Sequence, residues 1–431
     1  MREQELIVYR NICDDYLFSE LVFLMENYGN NNTSVKEKQA IFYNCFHGLT
    51  DFAAKTSVGG NLWHNYIAFL LLNSENTYTK AVEGRGSVSG DINKLVLSDL
   101  SILKELYDFD FSELANALEL KNLAYLTDYE ASGEGGIYNP EIRQAICDFI
   151  EAFDGASTPE AMQKVLNDFY ERRGAGQFGL HNAFRVLRDA KTDSVEIVPI
   201  TGLAPVSLND LVGYDQAKKQ LIENTDAFVG GSIANNCLLY GDAGTGKSTA
   251  VKALANMYFS KGLRVIEIYK HQIEYLNAVI DLIKDRNYKF VLFMDDLSFE
   301  EFETDYKYLK AVIEGGIEKK PDNVLIYATS NRRHLINEKF SERGEDEVHL
   351  NDTMQEKLSL YDRFGITVYF GSPGQKEYDN IVLTLAERNG ISMPKEELIS
   401  LARRWELNHG GKSGRCAEQF IQYIMGRSVN D

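Results

Sequence analysis

Residues 241–248 read Gly-Asp-Ala-Gly-Thr-Gly-Lys-Ser, and few eight-residue strings restrict a fold so tightly. Gly241, Gly246, Lys247 and Ser248 meet the spacing G-x-x-x-x-G-K-[ST]. Glycines let the backbone curl so that successive N–H groups point inward at an anion. A helix opening directly afterwards adds the positive end of its dipole. The segment Gly241, Asp242, Ala243, Gly244, Thr245, Gly246, Lys247, Ser248 and Thr249 is therefore a candidate phosphate cradle, with Lys247 placed for β- and γ-phosphates and the Ser248 hydroxyl for Mg²⁺. The flanks agree. Cys237-Leu238-Leu239-Tyr240 is a short apolar run suited to a buried parallel strand, and Val251, Leu254, Ala255 and Tyr258 recur at helical spacing.

Strand, glycine loop and helix repeat as an alternation from about residue 206 onward. Candidate strands are 237–240, 264–269, 290–295, 324–330 and 366–370. Their apolar runs lack strict alternation, as expected of parallel strands covered on both faces. From 374 the chain reads as helices with three apolar faces: Tyr378, Ile381, Val382 and Leu385; then Leu398, Leu401, Ala402 and Trp405; then Ala417, Phe420, Ile421 and Ile424. Residues 1–190 read mostly as helices, over about 35–55, 61–82, 91–118, 139–153 and 158–172, with breaks at Glu83–Gly90 and Ser132–Gly136. Ser194–Ile200 looks like a strand and Thr201–Pro205 a linker. The expected organisation is a mainly helical N-terminal domain (1–190), a linker (191–205), an α/β core with a parallel sheet (206–373) and a C-terminal helical lid (374–431).

A nucleotide cradle needs a second acidic element for its metal. Phe290-Val291-Leu292-Phe293-Met294 forms a buried strand, and Asp295 and Asp296 emerge at its carboxyl end, where open α/β sheets bind ligands. Asp295 is the candidate to hold Mg²⁺, largely through water. Asp296 is the candidate to orient or deprotonate an attacking water. Ile326–Ser330 is a further apolar strand, and Asn331 at its end could meet that water or the γ-phosphate. Arg415 falls in the first turn of a helix, where the dipole disfavours a cation unless an anion binds there.

Composition narrows the partners. The formal charge of −19 denies the chain a broad positive field for nucleic acid or anionic membrane. Five scattered cysteines with no C-x-x-C pair argue against zinc ribbons and disulfide frameworks and suit a reducing cytosol. Met1–Glu5 opens no signal peptide, and the longest apolar run, Tyr66–Leu72, is too short to span a bilayer. A cytoplasmic protein without membrane contact is expected.

These motifs, in this order, resemble an AAA+ P-loop ATPase over about residues 206–427. Gly241–Ser248 matches Walker A and Phe290–Asp296 Walker B. Asn331 falls at sensor 1, Asp362-Arg363-Phe364 resembles the arginine-finger segment, and Gly414-Arg415 resembles sensor 2. Leu211-Val212-Gly213 resembles the segment lining the adenine pocket, so Val212 and Gly213 join the candidate nucleotide contacts. The strings DDLSFE, NVLIYATSNRRHL, EKLSLYDRFG and GKSGRCAEQFI are similar to an uncharacterised bacterial family of AAA-type ATP-binding proteins, a domain of unknown function (DUF815). The resemblance implies ATP and Mg²⁺ as cofactors and a homo-oligomer in which Arg363 acts across the subunit boundary, as such fingers stabilise transition-state charge.

One departure bears on activity. Asp296 stands where most of the superfamily has Glu, a form resembling replication initiators and helicase loaders. The carboxylate is one methylene shorter, and about 1 Å of misplacement costs on the order of a hundredfold in rate. The leading expectation is an ATP hydrolase of low rate that remodels or loads a macromolecule, with the N-terminal helices engaging an unidentified protein target. A slow-hydrolysing ATP switch or scaffold and a DNA-associated, helicase-loader-like protein are the alternatives, and nucleic-acid binding stays open. Glu300 and Glu301 read as a solvated acidic loop that could also contribute to the water site, Arg332 and Arg333 as a basic pair serving the fold or as alternative fingers, and Asn337–Asp352 as a charged loop, open to a subunit or partner contact.

Overall fold

The computed structural model describes residues 3–30, 32–86, 88–131, 140–188, 194–299, 305–314, 321–331 and 363–428. Glu300, Glu301, Arg332, Arg333, the 337–352 loop and Asp362 lie outside them. The chain divides into two units, Met1–His181 and Asn182–Asp431.

The first unit is helical: α1 (Tyr16–Asn27), α2 (Val35–Thr56), α3 (Leu62–Asn73), α4 (Thr77–Arg85), α5 (Asp91–Tyr107), α6 (Phe111–Ala117), α7 (Ala124–Thr127), α8 (Pro140–Asp154), α9 (Pro159–Arg172) and α10 (Gln177–Leu180). Local capping sets these boundaries. Ser34 and Glu37 close a reciprocal capping box at the start of α2, which satisfies N–H groups that have no partner within the helix. The stretches expected as single helices over 61–82 and 91–118 each break in two. Asn76 accepts from the Tyr78 and Thr79 amides and starts α4, while Asp110 accepts from the Ser112 amide and starts α6. A side-chain acceptor outside the helix competes with its continuation. Aromatic residues fill the core, with Trp63 fully buried between Phe18 and Phe111.

The second unit carries a seven-stranded sheet: β1 (Ala183–Arg188), β2 (Val195–Pro199), β3 (Cys237–Gly241), β4 (Leu263–Glu267), β5 (Lys289–Met294), β6 (Val324–Ser330) and β7 (Ile366–Phe370). The order is β2-β1-β4-β5-β6-β3-β7. Among the described strands of this sheet, only the β1–β2 pairing is antiparallel. The helical unit ends at His181, ahead of the expected boundary at 190. β1, inside the stretch read as helical, adds a strand that was not expected, whereas β2 falls within the strand expected over Ser194–Ile200. Phe184 and Val186 are buried while Arg185 and Leu187 are not, a two-residue period that a strand satisfies and a helix does not.

Helices α11 (Asp215–Val229) and α12 (Lys247–Tyr258) pack with β3 and its neighbours around Leu221, Leu239, Leu254 and Val368. The alternate residues Leu238, Ile266, Leu292 and Ile326 are buried as well, so both faces of the central strands are covered. Between β4 and β6 lie α13 (Leu276–Ile283) and α14 (Asp305–Glu314). After β7 come α15 (Gln375–Arg388), α16 (Lys395–Asn408) and α17 (Gly414–Ser428). The three apolar faces seen in their sequence converge on one core around Tyr378, Val382, Ala402 and Phe420. No described helix is long and apolar enough to cross a membrane.

Strand order fixes where a ligand can sit. The chain leaves β3 through α12 to β4, three places along the sheet, whereas β7 lies on the opposite side of β3. The reversal opens a crevice beyond the carboxyl end of β3.

Candidate functional site

Glycine builds the loop after β3. Gly241 has φ +137° and Gly246 φ +92°, where other residues are strained. A Cβ on Gly241 would lie 2.0 Å from the Phe370 carbonyl oxygen, and one on Gly246 2.2 Å from Leu211 Cδ2. The loop is thus pressed against β7 on one side and the 206–214 segment on the other.

The cleft beside it has a volume of 520 Å³, within the range of small-molecule sites. Ala243, Gly244, Thr245, Gly246, Lys247, Ser248 and Thr249 line it from the loop, Asp295, Asp296 and Asn331 from the strand ends, Val212 from the preceding segment, and Arg415 from α17. Gly241 and Asp242 form its root, and Gly213, at φ +83°, follows Val212. The structure therefore brings together the sequence candidates of the loop, both carboxylates, Asn331 and Arg415.

Arg363 is the exception. It precedes β7, whose Ile366 pairs with Cys237 at the start of β3, while Phe370 pairs with Gly241 at the loop. Four strand steps, about 13 Å, separate the Arg363 end of β7 from the loop, and Arg363 does not line the cleft.

A continuous hydrogen-bond network runs through the polar floor. Lys247 Nζ donates to the carbonyls of Gly241 (2.9 Å) and Asp242 (2.7 Å) and to Asn331 Oδ1 (3.0 Å). Asn331 Nδ2 donates to Asp296 Oδ1 at 2.7 Å. Ser248 Oγ donates to Asp295 Oδ1 at 2.5 Å. Lys247 is 6% exposed, and burial holds its pKa below the usual lysine value, with Asp296, Asp242 and Asp295 pulling it up and Arg415 adding to the depression. An anion in the loop would relieve that desolvation.

Three groups that the sequence reading missed complete the geometry. Thr329, 1% exposed, donates through Oγ1 to Asp295 Oδ1 (2.6 Å) and accepts from the Asp296 amide (2.8 Å). Asp296 sits at φ +50°, a left-handed conformation costing a non-glycine residue about 1 kcal/mol, so its turn needs such support. Asp242 points away from the cleft: its Oδ2 accepts from the Ser372 amide (2.8 Å) and hydroxyl (2.7 Å). The Ser372 hydroxyl and then its amide hold the Asp242 carboxyl below its ordinary pKa. Arg388 on α15 donates to the Asn209 carbonyl at 2.8 Å and meets Asp210 at 3.4 Å, tying the helical subdomain to the 206–214 segment. Of these, only Thr329 left a trace in sequence, as a hydroxyl in an otherwise apolar strand just before Asn331.

Tyr214 follows Gly213 with φ +59°, donates its hydroxyl to the Gly371 carbonyl at 3.0 Å and lies against Phe370. Burial foremost raises its pKa to about 12, so it stays a neutral donor. With Leu211, Ile381 and Leu385 it makes the apolar end of the cleft, opposite the charged floor. The arrangement suits a ligand with a flat apolar head and a polyanionic tail. Ser248 and Asp295 present two oxygens side by side beside the tail, the donor type a hard divalent cation takes.

Comparison with known proteins agrees with these motifs. The profile of a family described as "Protein of unknown function (DUF815)" matches residues 180–428. A stretch of 54 residues is 43% identical to the replication factor C large subunit of Methanococcus maripaludis, covering 12% of this chain and 11% of that protein. One of 65 residues is 40% identical to the same subunit of Staphylothermus marinus, covering 15% of each. The matched segments thus span only a small part of those relatives. Among solved structures, a point mutant of Thermotoga maritima RuvB is similar at 17% identity and a TM-score of 0.37, over 52% of this chain and 66% of that one. The RuvB Holliday junction branch migration motor of the same organism is similar at 16% identity and 0.32, over 51% and 72%.

Proposed function

This chain belongs to the DUF815 family and has an AAA+ P-loop ATPase fold, and from that premise we propose that it is a Mg²⁺-dependent ATP hydrolase that remodels or loads a macromolecular partner. The observation carrying this reading is the connected set Lys247–Asn331–Asp296 beside Ser248–Asp295 on one side of a glycine cradle.

ATP fits the cleft with its base against Val212, Leu211, Ile381 and Leu385 and its phosphates over residues 243–249. Lys247 turns from the Gly241 and Asp242 carbonyls toward the β- and γ-phosphates, gaining a charged partner for a charge it already buries. Ser248 and Asp295 would hold Mg²⁺, which would supply charge neutralisation at the phosphates. Asp296 orients the attacking water and accepts its proton. Asn331, relieved of Lys247, turns its amide to that water or the γ-phosphate. Arg415 adds a guanidinium from the lid. Arg363, at the amino end of β7 and away from the loop end of the sheet, suits service to the cleft of a second copy, so the active form is a homo-oligomer. The helices of residues 1–181 engage the partner.

A slow ATP switch is the second reading, favoured by the 2.7 Å bond that occupies Asp296 Oδ1 and by the short reach of that side chain. A DNA-associated role has in its favour the Asp295-Asp296 pair, a form resembling helicase loaders, and the names of the replication factor C relatives, against a net charge of −19.

Turnover of Mg²⁺-ATP by the purified, assembled chain tests the proposal. It should vanish in Lys247→Ala and fall at least tenfold in Asp296→Asn, while the latter still binds ATP. A wild type that binds ATP without any turnover ends the hydrolase reading and leaves the switch. Light scattering with and without ATP tests Arg363: a strict monomer at high concentration contradicts action across subunits.

A further inference from the structure

We propose that Thr329 is the residue that positions both carboxylates, and that it lets an aspartate serve at 296 in place of a longer side chain. The inference rests on the ATP-hydrolase reading and assigns a role within it.

Three bonds fasten the turn after β5 to this one residue of β6. Thr329 Oγ1 donates to Asp295 Oδ1 at 2.6 Å, the Asp296 amide donates to the same Oγ1 at 2.8 Å, and the Leu297 amide donates to the Thr329 carbonyl at 2.7 Å. Thr329 is itself fixed, since β6 is buried along its length and pairs with both β5 and β3. The hydroxyl therefore acts as donor to one carboxylate and acceptor from the backbone of the next residue, a pair of roles that only a hydroxyl fills in so small a volume.

Each bond has a consequence. With Oδ1 of Asp295 taken by Thr329 and Ser248, Oδ2 is the oxygen left for a cation's water shell. The bond to the Asp296 amide holds the left-handed backbone of that residue. This conformation redirects the Cα–Cβ bond, so the backbone sets where the short side chain ends, at Asn331 beside Lys247. Misplacement by about 1 Å carries a rate penalty near a hundredfold, so losing this support should be read mainly in kcat.

The test compares wild type with Thr329→Val, which keeps the shape and removes the hydroxyl, and Thr329→Ser, which keeps the hydroxyl. Thr329→Val should lower kcat roughly 10- to 100-fold, leave ATP affinity without Mg²⁺ within about threefold, and abolish most of the affinity gained on adding Mg²⁺. Thr329→Ser should restore both. In the Asp296→Asn background Thr329→Val should cost little more, because residues acting as a unit are not additive. Should Thr329→Val fail to fold, Thr329→Ala takes its place with the same expectations. Equal kcat and equal Mg²⁺ response in the hydroxyl-free variant overturn the role of Thr329 while the hydrolase reading stands. If the wild type shows no turnover, the hydrolase reading fails alone, and the Mg²⁺ response of nucleotide binding still judges Thr329. A wild type indifferent to Mg²⁺ overturns both.

Discussion

Replacing Gly241 by alanine should destabilise the nucleotide-binding unit by more than its backbone angle alone explains. At φ +137° an L side chain is strained by about 1–3 kcal/mol. The added Cβ would also stand 2.0 Å from the Phe370 oxygen and 2.6 Å from its carbonyl carbon. Both are backbone atoms of a paired strand, so no side chain can swing away. Moving that carbonyl sacrifices the bond it accepts from the Asp242 amide at 3.1 Å, worth about 0.5–1.5 kcal/mol. The sum is about 1.5–4.5 kcal/mol. Gly262→Ala is the matched control: φ is +87° and nothing lies within 4 Å of its added Cβ, so about 1–2 kcal/mol is expected. The chain has two tryptophans, Trp63 and Trp405, one in each unit. In a Trp63→Phe background, urea unfolding followed by fluorescence reports Trp405 and hence the second unit. The reasoning predicts Gly241→Ala to be costlier than Gly262→Ala by at least about 1 kcal/mol at unchanged m-value. Equal costs would refute the claim that β7 is pressed against the root of the loop.

Two further outcomes follow from titratable groups. The buried ammonium of Lys247 has a lowered pKa in the free protein, and phosphate favours its charged form. ATP affinity is therefore full below the free-state pKa and declines as pH rises through it, beginning below the ordinary lysine value of about 10.4. Calorimetric titration between about pH 7 and 10 should show this decline in the wild type and not in Lys247→Arg, whose guanidinium stays charged; a decline in both discounts Lys247. Cys45 and Cys237 are buried, and burial pushes both thiols up to about 12, whereas Cys13 and Cys147 are only half-buried. Peptide mapping after brief iodoacetamide treatment should find Cys13 and Cys147 modified first; early alkylation of Cys237 would contradict the packing of β3.

The loop, the two aspartates and Asn331 were legible because each is a local string at the end of an apolar run, and the parallel sheet brings strand ends together. Strand positions 324–330 and 366–370 matched to the residue, the first as a continuous apolar run of a buried strand and the second as a short β-branched and aromatic run at the sheet edge. Strand 195–199 was legible within 194–200, but strand 183–188 was harder. It has six residues with few inward side chains, too short to stand out against the neighbouring helices, and part of the pairing that stabilises it comes from β4, remote along the chain. The split of the long helical stretches at Asn76 and Asp110 was visible in principle, since both are good N-cap residues, but hydrophobic period runs straight across them. Thr329, Ser372 and Arg388 gave little or no signal because their roles depend on partners remote in sequence. Where Arg363 sits relative to its own cleft is a matter of strand direction, which motif order does not carry.

The clasp between Asp242 and Ser372, joined by the Tyr214 bond to Gly371, has a mechanical meaning. Residues 371–374 are the only chain between β7 and α15, and the base of the phosphate loop grips them at one end. Helix α15 has 14 residues, a rigid arm of about 21 Å. A swivel of about 10° at the grip would carry its far end through roughly 4 Å. The far end is where Arg388 holds the 206–214 segment. If the proposed ATP binds, the arm would be gripped beside its phosphates and would bear on the wall of the apolar end, so that a small shift around the anion would be enlarged into a change of fit around the base.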